Sequence, residues 1–328
     1  MFCNMRLFLY EYATALPCLD LPDSIRREGR AMFEAVQADA MAIQGVDLLT
    51  LSSEAAEQEE ASFRRLVELA DWSLIIAPET EGLLLERCRW VAEAGGKYLG
   101  PSLDAVSRTG DKWQTYRCWQ EKGVPTPETW CRENRGEASE STPKACPPRT
   151  EPRYVRKLRD GAGSCAMSFV PCPQPNADPR WLYQEYCPGL AVSVAFLVGP
   201  GSCVPLLPAL QQLTDDGSFH YRGGEIPLPP ALAHRCLTLS TRALAAISGM
   251  GGFVGVDLVL GAAPDGSQDY AIEINPRLTT SYVGLRALAA DNLVELMLRM
   301  AAGEQVQSVR WKPGKVTFDA VGQVRWHP

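Results

Sequence analysis

The sequence predicts a mixed fold of helices and strands that begins with a parallel α/β domain over residues 1–105. Short apolar runs such as residues 6–11 and 72–77 alternate there with segments whose apolar residues recur at helical spacing. This alternation is typical of a parallel sheet covered by helices. Two later apolar runs, residues 252–260 and 271–275, flank a loop rich in turn-forming residues, which predicts an antiparallel hairpin.

The elements of the first domain follow from this apolar spacing. Pro22 and Asp23 mark the entry to a helix, because proline and short acidic residues favour the first turn. No glycine-rich phosphate loop follows the first strand, so we expect this domain to bind a substrate or to serve as a scaffold. Strands are expected at residues 6–11, 46–51, 72–77 and 97–99, and helices at residues 24–42, 54–70 and 82–94.

The rest of the chain mixes strands and helices around one long loop. Residues 107–122 are expected to form a helix, and Pro125 and Pro127 enforce extended chain after it. Residues 131–152 are rich in Pro, Ser, Glu and Arg, which predicts an exposed loop. Strands are expected at residues 153–158, 182–186, 191–198, 315–318 and 323–326, and helices at residues 231–248 and 291–302.

Composition argues against several classes of protein. The chain of 328 residues has a formal net charge of −7, whereas a duplex nucleic-acid binder usually carries a basic face, so we expect no nucleic-acid partner. No apolar run approaches the roughly 18 residues of a membrane span, and we expect no membrane contact. The 11 cysteines are scattered without a CxxC pair, which predicts reduced thiols and a cytoplasmic location. The sequence leaves a homodimer open.

The predicted hairpin carries acidic and amide side chains inside apolar runs. Glu273 and Asn275 are two residues apart, so a strand places them on one face while Ile272 and Ile274 point into the core. Asp257 lies in the partner run. The hairpin therefore brings two carboxylates and one amide into a small volume.

Two partly buried carboxylates repel each other, and each is expensive to remove from water without compensation. A hard divalent cation supplies that compensation, and all-oxygen ligation favours Mg²⁺ or Mn²⁺. The alternative is the exposed face of an ordinary hairpin, on which Arg277 neutralises Glu273.

A lysine and a glycine loop suggest a phosphate site elsewhere in the chain. Lys157 ends a predicted strand directly before a loop that contains Gly161, Gly163 and Ser164. Glycines allow backbone N–H groups to approach phosphate closely, and an adjacent ammonium group offsets phosphate charge. A plain hairpin turn remains the alternative for this loop.

Two more segments suit a nucleoside triphosphate. Lys112 lies early in a predicted helix, where a surface lysine is the alternative interpretation. Glu185, Tyr186 and Cys187 end a predicted strand, and an acid with backbone amides at a strand edge suits the adenine amino group and ring nitrogen. A solvated turn is the alternative for these three residues.

Taken in chain order, these lysines, the glycine loop, the strand-edge acid and the Asp…Glu-x-Asn set resemble the ATP-grasp superfamily over residues 106–305. The resemblance implies an α+β ATP-grasp fold whose two lobes, residues 106–185 and 186–328, clamp ATP and Mg²⁺ after the α/β domain. It implies phosphate contacts for Lys112 and Lys157, a mobile glycine loop at residues 160–164, an adenine hinge at residues 185–187, metal ligation by Asp257, Glu273 and Asn275, and a contact of Arg277 with the transferring phosphoryl group.

Within this superfamily the chain is most similar to the tyramine–glutamate ligases of methanofuran biosynthesis. The similarity lies in residues 9–12 (LYEY), 28–32 (EGRAM), 77–80 (APET) and 273–284 (EINPRLTTSYVG). It implies that ATP activates a glutamate carboxylate as an acylphosphate, which the amine of tyramine or tyrosine attacks to form an amide. Residues 279–282 would then line the acceptor pocket, or else form only a polar helix entry.

Two positions depart from the superfamily pattern. Ala191 stands where a ribose-binding Glu is often found, and Leu158 stands where a proline often follows the second phosphate lysine. Three other functions stay open at this point: a ligase for other amino acids, a carboxylase that activates bicarbonate, and a non-catalytic ATP-binding sensor.

Overall fold

The computed structural model describes residues 4–19, 21–51, 58–132, 154–161, 166–173 and 178–327. Strands in these residues form three sheets, which follow one another along the chain. None of the helices in these ranges has the length and apolar character needed to cross a membrane.

The first sheet confirms the predicted parallel α/β domain. Its central strand β1 (Met5–Glu11) runs parallel to β2 (Val46–Thr50) on one side and to β3 (Trp72–Ile76) on the other. The expected fourth strand is reduced to one bridge between Tyr98 and Ser73. The helices of this domain are α1 (Tyr12–Ala15), α2 (Asp23–Met41), α3 (Glu59–Leu69) and α4 (Leu83–Glu93).

Two antiparallel sheets follow the parallel one. The four-stranded sheet has the order β4 (Thr129–Cys131), β7 (Trp181–Glu185), β5 (Tyr154–Leu158) and β6 (Ser168–Val170). The eight-stranded sheet has the order β13 (Tyr270–Asn275), β12 (Gly252–Leu260), β8 (Leu190–Gly199), β10 (Ala209–Leu213), β11 (Tyr221–Ile226), β14 (Lys315–Asp319) and β15 (Val324–His327), with β9 (Ser202–Pro205) paired to β8. The remaining helices are α5 (Leu103–Gly110), α6 (Lys112–Glu121), α7 (Pro230–Ala245), α8 (Ser281–Leu288) and α9 (Leu293–Ala301).

The predicted hairpin and the predicted closing strand pair are both present. β12 pairs with β13 in antiparallel register, and β14 pairs with β15 in the same way. The long loop predicted at residues 131–152 lies almost entirely outside the described residues, as does the start of the helix predicted at residues 54–70.

The single helix predicted at residues 107–122 is wrong, because two helices meet there at Asp111. Asp111 has extended backbone angles, and its side chain accepts a hydrogen bond from Trp113 N at 2.9 Å, which caps α6. Arg159 donates to the same carboxylate through Nε at 3.2 Å. The cap itself is local, since it uses the N–H groups of the two residues at the start of α6, and Arg159, 48 positions away, supports the same carboxylate. Apolar spacing alone does not reveal this break.

The first domain and the eight-stranded sheet share one apolar core. Leu7 and Leu9 of β1 lie in the same buried cluster as Leu197 of β8 and Met297 of α9. Phe8 and Tyr10, on the opposite face of β1, belong to a second cluster with α3 and α4. Because the two domains bury their faces together, the first domain is held rigidly against the large sheet.

The eight-stranded sheet presents different chemistry on its two faces. Val192, Val194 and Phe196 pack with α7 on one face. Ala195 and Leu197 point to the shared core on the other face. Strand alternation places Ser193 on this second face, where the apolar core gives way to polar side chains.

A polar contact also joins the first domain to the C-terminal part of the chain. Asp39 of α2 accepts hydrogen bonds from Tyr282 Oη at 2.5 Å and from Arg286 Nε at 2.9 Å. The Asp39 side chain is 13% exposed and the Arg286 side chain 32% exposed. This shielded pair lies beside the shared core, so its loss is expected to weaken the docking of α2.

We predict that Asp39→Ala lowers the free energy of unfolding by about 2–3 kcal/mol, because it leaves Arg286 and the Tyr282 hydroxyl without their shielded acceptor. Urea denaturation followed by circular dichroism measures the change. The control is Glu34→Ala on the same helix, whose partner Arg30 is 76% exposed; this variant should unfold like the wild type. Equal midpoints for the two variants would contradict a structural role for Asp39.

Candidate active site

A cavity of 710 Å³ lies between the four-stranded and the eight-stranded sheets. Ten of the predicted site residues line it, and they come from five separate stretches of sequence. Gly163 and Ser164 of the predicted glycine loop lie outside the described residues. The predicted residues that line the cavity are Lys112, Lys157, Gly161, Glu185, Tyr186, Cys187, Asp257, Glu273, Asn275 and Arg277.

The hairpin places its two carboxylates directly opposite each other. Asp257 of β12 is in register with Glu273 of β13, and Asn275 is opposite Gly255. Asn275 Nδ2 donates to Asp257 Oδ2 at 2.9 Å, and Gln211 Nε2 donates to Asp257 Oδ1 at 3.1 Å. The predicted convergence of the two carboxylates and the amide is present in the structure.

A β-bulge at this point changes the predicted direction of Ile272. The register steps from Asp257 opposite Glu273 to Leu258 opposite Ala271, which leaves Ile272 unpaired. Ile272 consequently lines the cavity, while Ile274 is buried in the core as predicted. The prediction that Ile272 points into the core is therefore wrong, because simple alternation does not hold across a bulge.

The two opposed carboxylates differ in acidity. Burial, followed by repulsion from Glu273, raises the pKa of Asp257 to about 7. Burial also opposes ionisation of Glu273, but the charges of Lys112 and Lys157 outweigh it and hold the pKa of Glu273 below its ordinary value. Glu273 is thus an anion at neutral pH, and a nearby cation is needed to keep Asp257 fully ionised as well.

Lys112 is a site residue rather than an exposed surface lysine. Its side chain is 13% exposed, and Nζ lies 3.4 Å from Glu273 Oε2. Lys112 Nζ also donates to the carbonyl oxygen of Gly161 at 2.5 Å, and the Lys112 backbone N–H donates to the carbonyl oxygen of Arg159 at 2.8 Å. Lys112 thus connects the carboxylate pair with the start of the predicted glycine loop.

Lys157 is almost completely enclosed, with 3% of its surface exposed. Burial lowers the pKa of its ammonium group to about 8; the repulsion of Lys112 adds to this effect, and the Glu273 and Asp257 carboxylates oppose it. A buried cation with a lowered pKa is stabilised by any anion that enters the cavity. Lys157 is therefore suited to bind a phosphate group.

The predicted adenine hinge lies at the end of β7 and faces the cavity. The Glu185 backbone N–H donates to the Glu128 carbonyl oxygen at 2.8 Å. The Tyr186 ring meets the Phe169 ring edge-on at a centroid distance of 4.9 Å, which adds an aromatic wall. Burial and the Glu185 charge raise the pKa of Cys187 to about 11, so this thiol is neutral and is a poor nucleophile.

Arg277 faces the cavity but forms an ion pair with the first domain. Its Nε and Nη2 atoms donate to the two carboxylate oxygens of Glu79 at 2.9 and 3.1 Å. Among the described residues, the cation within ion-pair distance of Glu273 is Lys112. The structure therefore does not support the alternative in which Arg277 is the ion-pair partner of Glu273, although the Arg277 charge also favours ionisation of Glu273. Nor is the hairpin face openly exposed, because the Glu273 side chain is 27% accessible.

The segment after β13 divides between cavity and core. Thr279, Thr280 and Ser281 line the cavity. Tyr282 is 0% exposed and belongs to the shared core. The prediction that Tyr282 lines the acceptor pocket is therefore wrong, because its side chain is buried in the core and its hydroxyl donates to Asp39 of α2.

Several cavity residues were not identified from the sequence. Ser193 is opposite Asp257 on β8, and Tyr221 of β11 also faces the cavity. Ser193 is a lone polar residue in an apolar run, a signal that the sequence did contain. Glu28 lines the cavity and Glu79 binds Arg277; both lie in stretches that carry the family resemblance, but the resemblance implies no role for either.

The donor set at the hairpin fits a hard divalent cation. Asp257, Glu273 and the Asn275 amide present oxygen atoms from neighbouring positions, and the raised pKa of Asp257 records charge repulsion that a cation would relieve. The amide oxygen is available if Asn275 rotates about its terminal bond. Among the described residues no three His, Cys, Asp or Glu side chains cluster as a metal site; the donor set at the hairpin consists of two carboxylates and one amide.

Comparison with known proteins identifies the fold. The family model described as the ATP-grasp domain matches residues 109–281, and the pre ATP-grasp 3 domain matches residues 37–106. A tyramine–L-glutamate ligase from Methanocaldococcus fervens is 28% identical over 318 residues, which cover 92% of this chain and 95% of the relative.

Solved structures agree with the family match. An ATP-grasp superfamily protein from Archaeoglobus fulgidus is 26% identical with a TM-score of 0.71, and the match covers 95% of this chain and 92% of that protein. An ADP complex of N5-carboxyaminoimidazole ribonucleotide synthetase has a TM-score of 0.68 at 12% identity, over 97% of this chain and 81% of that one; it shows likeness of fold alone.

The predicted fold class is confirmed by the sheets and by these matches. The parallel α/β domain corresponds to a pre-ATP-grasp domain, and the two antiparallel sheets enclose the cavity between them. The chain belongs to the ATP-grasp family.

Proposed function

We propose that this protein is an ADP-forming carboxylate–amine ligase that joins glutamate to tyramine or tyrosine in methanofuran-type cofactor biosynthesis. The observation that carries the proposal is the opposition of Asp257 and Glu273 within reach of two shielded lysines in one large cavity. The choice of substrates is supported by the likeness to the Methanocaldococcus fervens ligase.

The nucleotide is assigned to the cleft between the two antiparallel sheets. Lys112 and Lys157 would offset phosphate charge, Gly161 would belong to the loop over the phosphates, and Glu185 to Cys187 would bind adenine. In this assignment residues 1–105 are the pre-ATP-grasp domain, residues 106–185 the small lobe and residues 186–328 the large lobe. Ala191 offers no polar side chain for the ribose.

We assign Asp257, Glu273 and Asn275 as the ligands of a Mg²⁺ or Mn²⁺ ion. When bound, the ion would offset the negative charge of the phosphate groups. The chain's own contribution is to keep Glu273 ionised through Lys112 and to hold Asp257 in place through Gln211 and Asn275.

The reaction then needs positioning more than covalent participation of the protein. A glutamate carboxylate oxygen attacks the γ-phosphorus of ATP and ADP leaves; the amine nitrogen attacks the acyl carbon, and phosphate leaves as the amide forms. We assign to Lys157 and Arg277 the role of stabilising the negative charge that develops on the transferring phosphoryl group. The ion pair with Glu79 keeps the Arg277 guanidinium fixed at the cavity wall.

We expect ADP release from Mg-ATP to require both an amino acid and an amine, with glutamate plus tyramine or tyrosine as the active pairs. A coupled assay over a panel of amino acids and amines measures this, with bicarbonate as a separate co-substrate. Activity with other pairs would support the ligase function but would change the assigned substrates. Release that depends on bicarbonate would indicate a carboxylase, and ATP binding without any release would indicate a sensor.

We expect Glu273→Gln to lower kcat/KM for ADP release by about 100-fold or more, because a neutral amide no longer compensates the lysines or holds the cation. The matched control is Asp265→Asn, which makes the same charge change at the exposed tip of the same hairpin. Its activity should equal that of the wild type. A fully active Glu273→Gln protein would exclude the proposed cation site.

Nucleotide affinity should weaken as the pH rises through about 8, the pKa of Lys157 in the free protein. Below that pH the ammonium group is already charged; above it, binding an anion requires proton uptake, so Kd for ADP rises by up to about tenfold per pH unit. Titration calorimetry between pH 7 and 9.5 tests this. Lys157→Met should bind ADP more weakly and without this pH dependence; an unchanged pH profile in the variant would rule out Lys157 as the cause.

A further inference from the structure

The first domain places three acidic side chains around Arg277, and their partners differ. Glu11 is buried and accepts hydrogen bonds from two backbone N–H groups of α1 at 3.1 and 2.7 Å, so it caps that helix. Glu79 forms the paired contact with Arg277. Glu28 of α2 faces the cavity. It neither caps a helix, as Glu11 does, nor pairs with Arg277, as Glu79 does.

The Glu28 carboxylate has unused acceptor capacity. It accepts one hydrogen bond among the described residues, from Thr280 Oγ1 at 2.9 Å. No described Lys, Arg or His nitrogen lies within the 4.0 Å of an ion pair with it. A carboxylate has about four lone-pair positions, so most of the acceptor positions of Glu28 remain open toward the cavity.

Arg277 does not supply the missing cation. Its charge favours ionisation of Glu28, yet burial has the larger effect and raises the pKa of that carboxyl. The guanidinium is already engaged by Glu79 at 2.9 Å. A shielded carboxylate without a paired cation is unfavourable, and a cationic ligand in the cavity would relieve that cost at Glu28.

The surroundings of Glu28 select an ammonium group over a metal ion. A hard cation takes several oxygen ligands, usually including more than one carboxylate, whereas the other first-domain carboxylates near Arg277 are committed to a helix cap and to an ion pair. The neighbouring groups of the cavity wall, Thr279, Ser281 and Tyr221, are neutral hydroxyls. One carboxylate with neutral hydroxyls suits the three N–H donors of a primary ammonium group.

We propose that Glu28 binds the primary ammonium group of an amino-acid or amine substrate. The proposal rests on the ligase function proposed above and adds a specificity residue that comes from the pre-ATP-grasp domain. Two sources share this chemistry: the α-ammonium group of the carboxylate donor, and the ammonium form of the acceptor amine. The first domain would then recognise a substrate while the two lobes hold the nucleotide.

The test compares binding of glutamate, glutarate and tyramine by titration calorimetry in the presence of Mg²⁺ and ADP. Glu28→Gln removes the charge but keeps an oxygen that accepts from Thr280, so it should melt like the wild type. Glu34→Gln is the matched control: it makes the same charge change on the same helix, at an exposed position paired with Arg30 at 2.8 Å.

We expect Glu28→Gln to bind one ammonium compound about 10- to 100-fold more weakly, the usual effect of losing a charged hydrogen bond. If affinity is lost for glutamate but not for glutarate, which lacks the ammonium group, Glu28 binds the α-ammonium group of the carboxylate donor. If affinity is lost for tyramine, Glu28 binds the ammonium form of the acceptor amine. The Glu34→Gln protein should match the wild type for all three compounds.

Equal affinities of the wild type and Glu28→Gln for both ammonium compounds, including no binding by either protein, would overturn the proposal. Failure of this proposal can be distinguished from failure of the proposed reaction. A Glu28-dependent loss of binding, together with no ADP release from any glutamate–amine pair, would retain the ammonium site and reject the assigned reaction.

Discussion

Charge repulsion between Asp257 and Glu273 is the constraint on which the site depends. The antiparallel register puts the two carboxylates opposite each other in a shielded position, an arrangement that is unfavourable without positive charge nearby. The structure supplies Lys112 and Lys157 from the neighbouring lobe, and both lower the pKa of Glu273. The cavity therefore holds a carboxyl group of raised pKa at Asp257 and a buried ammonium group of lowered pKa at Lys157. The cation and the phosphate of the proposed reaction would supply the opposite charge to each.

The pre-ATP-grasp domain is a structural part of this site rather than an appendage. It shares an apolar core with the eight-stranded sheet, and its Glu79 binds Arg277 directly after the hairpin strand. The backbone N–H of Glu81 donates to Asp160 at the start of the glycine loop, at 2.8 Å. One short segment of the first domain thus positions both the strand end and the loop.

Local patterns predicted the hairpin well because period-2 alternation and turn chemistry act over a few neighbouring residues. Apolar spacing failed where a polar cap or a bulge interrupts a regular element. Asp111 caps α6 with its own side chain, which Arg159 also contacts, and Ile272 faces the cavity because a bulge interrupts the alternation. Tyr282 was misplaced for a related reason, since its hydroxyl is bound by Asp39 of another domain.

The sequence by itself determined which chemical groups are present, the strands that carry Asp257 and Glu273, and the family to which they belong. Only the tertiary structure decided that Arg277 pairs with Glu79, 198 residues away, and that Glu28 reaches the cavity at all. It also decided the lowered pKa of Lys157, which comes from burial between lobes. The physical reason is that ion pairing and desolvation depend on which distant surfaces pack together, and local spacing carries no information about that packing.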